Sequence, residues 1–198
     1  MKRWLKAVCG AVMICMVLSL CGFAGDCAVV RDSVVRLHIL ANSDSDEDQA
    51  LKLRVRDAVT AAGAGLLDGV TTREEAETRL QTALPQLIET AQQCVYEAGF
   101  SYPVTAELTT MYFGTRAYDS GTFPAGRYHA VRFSIGEARG KNWWCVMYPP
   151  LCVSASTDKA ALSDVMSEDA CKIVCDAPRY VVRFKVVEWF ETIVEWLT

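Results

Sequence analysis

The sequence predicts an α+β fold, a single domain in which a small, mostly antiparallel sheet packs against two or three helices. Three observations carry that expectation. Val34 to Ala41 alternates its side chains at the period of a strand. From Ser45 to Gly99 the apolar residues recur at helical spacing behind recognisable caps. From Tyr102 to Tyr148 the two-residue period returns, punctuated by glycine and proline.

The elements follow in order. Lys2, Arg3 and Lys6 precede the apolar run Ala7 to Gly25, which is long enough for the core of a signal peptide or for a membrane anchor. Gly22 and Ala24 occupy the small-residue positions read by a signal peptidase, so cleavage after Ala24 is one reading. Basic residues on the cytoplasmic side suit an uncleaved anchor as well. Residues 1–28 are therefore expected to be a signal peptide or N-terminal membrane anchor, and residues 29–198 an exported domain. Leu20 and Asp26, which precede Cys21 and Cys27, are not the small residue that a lipoprotein needs at that position. Cleavage after Ala24 removes three basic residues and no acidic one, so 17 basic face 24 acidic residues, a formal charge of −7 that makes nucleic acid a poor partner.

In Val34 to Ala41, Val35, Leu37, Ile39 and Ala41 share the better buried face. Ser45 then caps a helix that runs to about Ala62, with Asp48 at the capping-box position and Asp46 and Glu47 favourable to the helix dipole. Leu51, Val55, Ala58 and Ala62 form its core stripe. Gln49, Lys52, Leu53 and Arg56 form a second stripe, either a partner surface or a solvated face. Thr71 or Thr72 caps a long second helix whose apolar stripe from Ala76 to Ala98 continues past Pro85, as one kinked helix or two collinear ones, and ends at Gly99. Cys94 sits on that stripe as a small hydrophobe.

Strands are expected at Tyr102 to Thr110, Tyr128 to Ile135 and Asn142 to Tyr148, with a loop over residues 114–126. Gly136 to Gly140 reads as a tight hairpin link that makes the last two strands antiparallel neighbours. In the segment KNWWCVMYPPLC, Trp144 and Trp143 point to opposite faces, and Pro149, lacking an N–H, stops the ladder. Oxidation of Cys145 with Cys152 would close a short loop worth roughly 2–3 kcal/mol. A helix is expected over Asp158 to Asp176. The tail from Arg179 fits both periods and is read as a strand followed by a short amphipathic helix.

The chemistry-bearing residues do not assemble into a convincing catalyst. Asp44, Asp46 and Asp48 resemble the opening of a calcium loop, but Gln49 and Val55 stand where that loop needs Gly and Glu. Cys145, Cys152, Cys171 and Cys175 lack the spacing of zinc ligands. A Cys145 or Cys152 nucleophile with His129 as base is the strongest enzymatic alternative, although no orienting acid accompanies it. Neither cofactor nor metal is expected.

Arg36 to Val59, RLHILANSDSDEDQALKLRVRDAV, and Phe123 to Cys152, FPAGRYHAVRFSIGEARGKNWWCVMYPPLC, resemble the stage II sporulation protein R family of endospore formers. The first block carries the family's motif at Asn42, Ser43, Asp44, Asp48, Gln49, Leu51, Lys52, Val55, Arg56 and Asp57. The second carries it at Pro124, Gly126, Tyr128, Gly136, Gly140, Asn142, Trp143, Trp144, Cys145, Pro149, Pro150 and Cys152. The resemblance implies a non-enzymatic signal, exported from the forespore into the intermembrane space of the septum. There it would activate a membrane-embedded aspartic protease that processes pro-sigma-E. The expected partner surface comprises Gln49, Lys52, Arg56, Tyr128, Arg132, Trp143 and Trp144. Membrane contact is expected only through the N-terminal segment. The alternatives are a secreted envelope-binding module that stacks on Trp143 and Trp144, or a secreted Cys-dependent enzyme.

Overall fold

Val35–Leu40 forms β1, and all six of its residues are buried. That follows from its place. In the computed structural model, which describes residues 2–118, 121–149, 166–175 and 180–197, β1 is an inner strand of a four-stranded sheet. The sheet has the order β2, β5, β1, β6, where β2 is Val104–Phe113, β5 is Gly126–Ile135 and β6 is Asn142–Tyr148. β1 runs parallel to β5, with Val35 opposite His129 and Ile39 opposite Phe133. It runs antiparallel to β6, with His38 opposite Trp144 and Ile39 opposite Trp143. The α+β class and a mostly antiparallel sheet are therefore observed.

The expected hairpin between the last two strands is not. β1 lies between β5 and β6, and the link from Gly136 to Lys141 crosses its carboxyl end. Within that link Gly140 N–H donates to Ala41 O at 2.9 Å and Arg139 N–H to Asn42 O at 3.2 Å. The link's hydrogen bonds thus go to the chain leaving β1, and β1, whose residues bury both faces, takes the inner position.

Asp46–Ala64 forms α2 and Arg73–Glu97 forms α3. Ser45 Oγ accepts from Asp48 N–H, and Thr72 Oγ1 accepts from Glu75 N–H, each satisfying one orphan donor of a first turn. α3 passes through Pro85 as one helix. It ends in a Schellman arrangement: Gly99 has φ +85°, Phe100 N–H reaches Val95 O and Gly99 N–H reaches Tyr96 O. Both helices bury their apolar stripes on one sheet face, where Leu51, Val55, Val59, Leu80, Leu87 and Ala91 join Leu37, Ile39, Val131 and Phe133. Each such side chain contributes about 1.5–3 kcal/mol by leaving water.

These elements form a sheet unit, Asp32–Phe113 with Arg127–Val165. Met1–Arg31, Gly114–Gly126 and Met166–Thr198 form a second, helical unit. Its first helix, α1, spans Lys2–Asp32 without interruption at Ala24. Among the described residues, which leave out the side chains of Val12, Met16, Val17 and Leu20, no helix is long and apolar enough to cross a membrane. The segment expected as a loop contains a small antiparallel pair, β3 (Arg116–Tyr118) and β4 (Gly121–Phe123).

Of the helix expected over Asp158 to Asp176, residues 158–165 lie outside the described residues; Glu168–Cys175 is helical and is called α4. The tail is corrected. Val181–Leu197 is one helix, α5, so Val182, Phe184 and Val186 of the expected strand are helical. The helical period prevails because it brings Phe184 and Val187 together with Phe23, Cys27 and Ile173 in a small core. Phe23 there stacks on Tyr180 at 5.5 Å and meets Phe184 edge-on at 5.4 Å.

Candidate functional site

The run Asn42–Gln49 folds into a polar clasp between β1 and α2. Asp48 is 3% exposed, and its Oδ2 accepts from Asn42 Nδ2 at 2.8 Å and Ser43 Oγ at 2.5 Å. Burial alone would raise this carboxyl, yet hydrogen bonds from Ser43, Asn42 and Tyr102 outweigh it and hold the pKa below the ordinary carboxylate value. Asn42 Oδ1 in turn accepts from Glu137 N–H at 2.9 Å, and Asp44 Oδ1 from Lys141 N–H at 2.6 Å. A Cβ at Gly140 would stand 2.5 Å from the Ser43 carbonyl carbon, so only glycine fits beneath the clasp.

Lys52 belongs to the same network. Its Nζ donates to Gln49 Oε1 at 2.6 Å and to Lys141 O at 3.0 Å, while Gln49 Nε2 donates to Ser43 O at 2.8 Å. The residue is 4% exposed, and burial pushes its pKa down. Asp44 opposes that shift, whereas Lys141 and Arg56 add to it. Lys52 is thus a structural cation, and its ammonium is not offered to a partner.

One turn on, Arg56 lays its guanidinium 4.4 Å above the Trp143 ring and pairs with Asp57 at 2.7 Å. Its side chain keeps 22% of its surface in water. Leu53, about one turn before it on the same helix face, is exposed, and Trp143 is half-buried. Gln49, Lys52, Arg56 and Trp143 are thereby brought together on the helix side of the sheet.

Tyr128, Arg132 and Trp144 are not part of that group. Strand register puts them on the opposite sheet face with Arg36 and His38. Tyr128 is fully buried and meets Phe113 at 5.6 Å, so it is a core residue in place of the expected contact residue. Arg36, also fully buried, donates from Nε to Cys145 O at 3.2 Å and lies over Phe113 at 4.4 Å and Tyr128 at 5.0 Å. Trp144 stacks on His38 at 4.0 Å with the rings 2° from parallel. Burial pushes the His38 pKa down and the nearby Arg132 cation adds to it, while neither ring nitrogen makes a hydrogen bond among the described residues. Arg132 pairs with Glu107 at 3.5 Å, its side chain 40% exposed.

The thiol and imidazole of the enzymatic alternative are apart. His129 aligns with Val35 on one side of β1 and Cys145 with Leu37 on the other, so two strand spacings of about 4.8 Å separate them. His129 Nδ1 instead lies 2.8 Å from Glu77 Oε1. Cys145 is buried and is not among the seven free cysteines of the described residues; Cys152, its expected partner, lies outside them. Among the described residues no group of three or more His, Cys, Asp and Glu side chains is placed to hold a metal ion.

Sequence reasoning missed the clasp itself, the partnership of Asn42 and Asp44 with the Gly136–Lys141 link and the burial of Lys52. The available signal was the pair Gly136 and Gly140, of which Gly136 adopts φ +58°.

Residues 31–158 match the family model described as stage II sporulation protein R. Stage II sporulation protein R of Bacillus subtilis strain 168 is 35% identical over 144 residues, which cover 73% of this chain and 64% of that protein. The match thus spans less than two thirds of the relative's length. No solved structure matches.

Proposed function

Because the chain belongs to the stage II sporulation protein R family, we propose that it acts in endospore formation as an exported signal. Its target is a membrane-embedded aspartic protease that processes pro-sigma-E, and the protein is a ligand, not a catalyst. The observation that carries this reading is the Arg56–Trp143 pair. The two sequence blocks close on each other through the clasp, whose polar atoms bond one another, and leave Leu53, Arg56 and part of Trp143 facing outward. Arginine and tryptophan supply much of the energy at protein interfaces. A cation held over an indole beside an exposed leucine therefore suits a protein partner.

Two features of the export reading draw on the same structure. Phe23 lies before the Ala24 cleavage position and is 3% exposed in the core of the helical unit, which supports retention of the leader as a tether. We assign Cys145 and Cys152 to one disulfide, as the oxidising side of a membrane favours.

The test is co-expression of the protein with the membrane protease and its pro-sigma substrate in a non-sporulating host, followed by immunoblotting. Processing should require both the protein and residues 1–28. Arg56→Glu should lower it about tenfold, the equivalent of about 1.4 kcal/mol at an interface, with the circular dichroism spectrum unchanged. Lys52→Glu should cost about 3 kcal/mol of stability by burying an unpaired charge, so it reports on folding. Absence of processing despite confirmed export would overturn the signalling role in favour of envelope binding. Full activity of Arg56→Glu would remove that residue from the interface.

A further inference from the structure

Cys171 and Cys175 lie outside the residues matched by the family, and no part of the proposed signalling surface uses them. They stand one turn apart on α4 with Sγ atoms 3.8 Å from each other, in van der Waals contact, and both are half-buried. Cys27 and Cys94 differ from this pair. Cys27 is fully buried in the core, and Cys94 is a single thiol whose pKa burial pushes up.

We propose that Cys171 and Cys175 form a redox-active dithiol that closes reversibly to an intramolecular disulfide by exchange with an external disulfide. One cysteine thiolate attacks a sulfur of the oxidant R–S–S–R, forming a mixed disulfide and releasing one R–S⁻. The second cysteine gives its proton to solvent and attacks the cysteine sulfur of that mixed disulfide, expelling the other R–S⁻. Two electrons leave the cysteine pair, and the oxidant ends as two thiols.

Helix geometry determines what closure does to the protein. Side chains four apart on a helix hold their Cβ atoms about 5–6 Å apart, whereas a disulfide brings them to about 3.8 Å. The turn of α4 between the two cysteines must therefore give way. Ile173 and Val174 lie between the two cysteines and are 3% and 0% exposed. Ile173 packs with Phe23, Phe184 and Val187. Val174 presses so closely on β4 that a Cβ at Gly121 would lie 2.5 Å from its Cγ1 and 2.7 Å from its carbonyl oxygen. Closing the bond consequently loosens the core of the helical unit, and reduction restores it.

The proposal rests on the export reading only for its oxidant, so the chemistry is tested on the purified full chain, independently of protease activation. The chain, in detergent, is equilibrated in mixtures of oxidised and reduced glutathione, quenched in acid, alkylated and digested with trypsin. Because trypsin cuts after Lys172, a Cys171–Cys175 bond joins two separate peptides. The expected result is that joined pair in oxidising mixtures, with alkylation lost at both cysteines and regained on reduction. Cys171→Ser should instead trap glutathione on Cys175. The proposal is overturned if both thiols stay alkylated throughout, or if either pairs with any other cysteine of the chain. The wild-type peptide map decides the matter even if the variant does not fold.

Discussion

The sheet unit and the helical unit place their polar and apolar side chains in opposite ways. In the sheet unit Arg36, His38, Asp48 and Lys52 are buried, while Leu53 and Tyr96 are its only large exposed hydrophobics among the described residues. In the helical unit α1 exposes Trp4, Met13, Ile14 and Leu18, and α5 exposes Trp189, Phe190, Ile193 and Trp196. A fold that turns charged groups inward does so at a desolvation cost, which hydrogen bonds and ring contacts must offset. The sheet unit meets that cost with the clasp and the Arg36 cluster, and its surface is nearly finished. The helical unit has kept apolar surface of the kind that marks interaction sites.

The sharpest way to break this contrast is at glycine. Gly140→Ala would drive a Cβ to 2.5 Å from the Ser43 carbonyl carbon and should lower stability by about 3 kcal/mol, read as a fall in the urea midpoint. Gly25→Ala in α1 meets nothing within 4 Å and should raise stability by about 0.5–1 kcal/mol through helix propensity. Equal effects at the two positions would mean that the link is not clamped.

A smaller effect is expected at Asp48. Asp48→Ala strands the donors of Asn42 and Ser43 and should cost about 2 kcal/mol. The same carboxylate sets an acid limit. Its folded pKa is depressed, so its contribution is fully present above the unfolded value of about 3.9 and is lost as pH falls through the folded value. Urea midpoints measured below about pH 4 should therefore drop in the wild type and drop less in Asp48→Asn. Parallel curves would take Asp48 out of the stabilising network.

The smallest change in stability belongs to α5. Trp189→Ser with Phe190→Ser removes two side chains that are 67% and 62% exposed, so the stability read from urea unfolding should change by no more than about 0.5 kcal/mol. Retention on a hydrophobic column should fall clearly. A cooperative loss of structure would show that these rings are core after all.

What could be read from sequence was mostly local. Ser45, Thr72 and Gly99 mark the ends of α2 and α3 because capping is decided within a few residues. β1, β5 and β6 lie within two residues of their expected bounds. Strand order was not legible, since Val35 selects His129 and Tyr148 as neighbours across most of the unit. Residues Arg116–Tyr118 and Gly121–Phe123 are too short for alternation to show. Lys52 illustrates the limit at the candidate site. Its helical spacing is the same whether solvent or a carbonyl awaits its ammonium, and only the distant Lys141 O decides. Arg56 and Trp143 were both singled out from sequence, but their contact follows from a strand pairing.

The parallel pairing of β1 with β5 also has a kinetic side. The strand that will stand inside the sheet is made first, and both of its neighbours come from the far end of the unit. Bringing such distant segments together carries a loop-closure cost that native pairing repays only late. On a ribosome, β1 waits with both hydrogen-bonding edges unpaired until β5 has emerged, and with its other edge open until β6 follows. The sheet thus stays open for most of the unit's length and locks once the segment carrying Trp143 and Trp144 arrives.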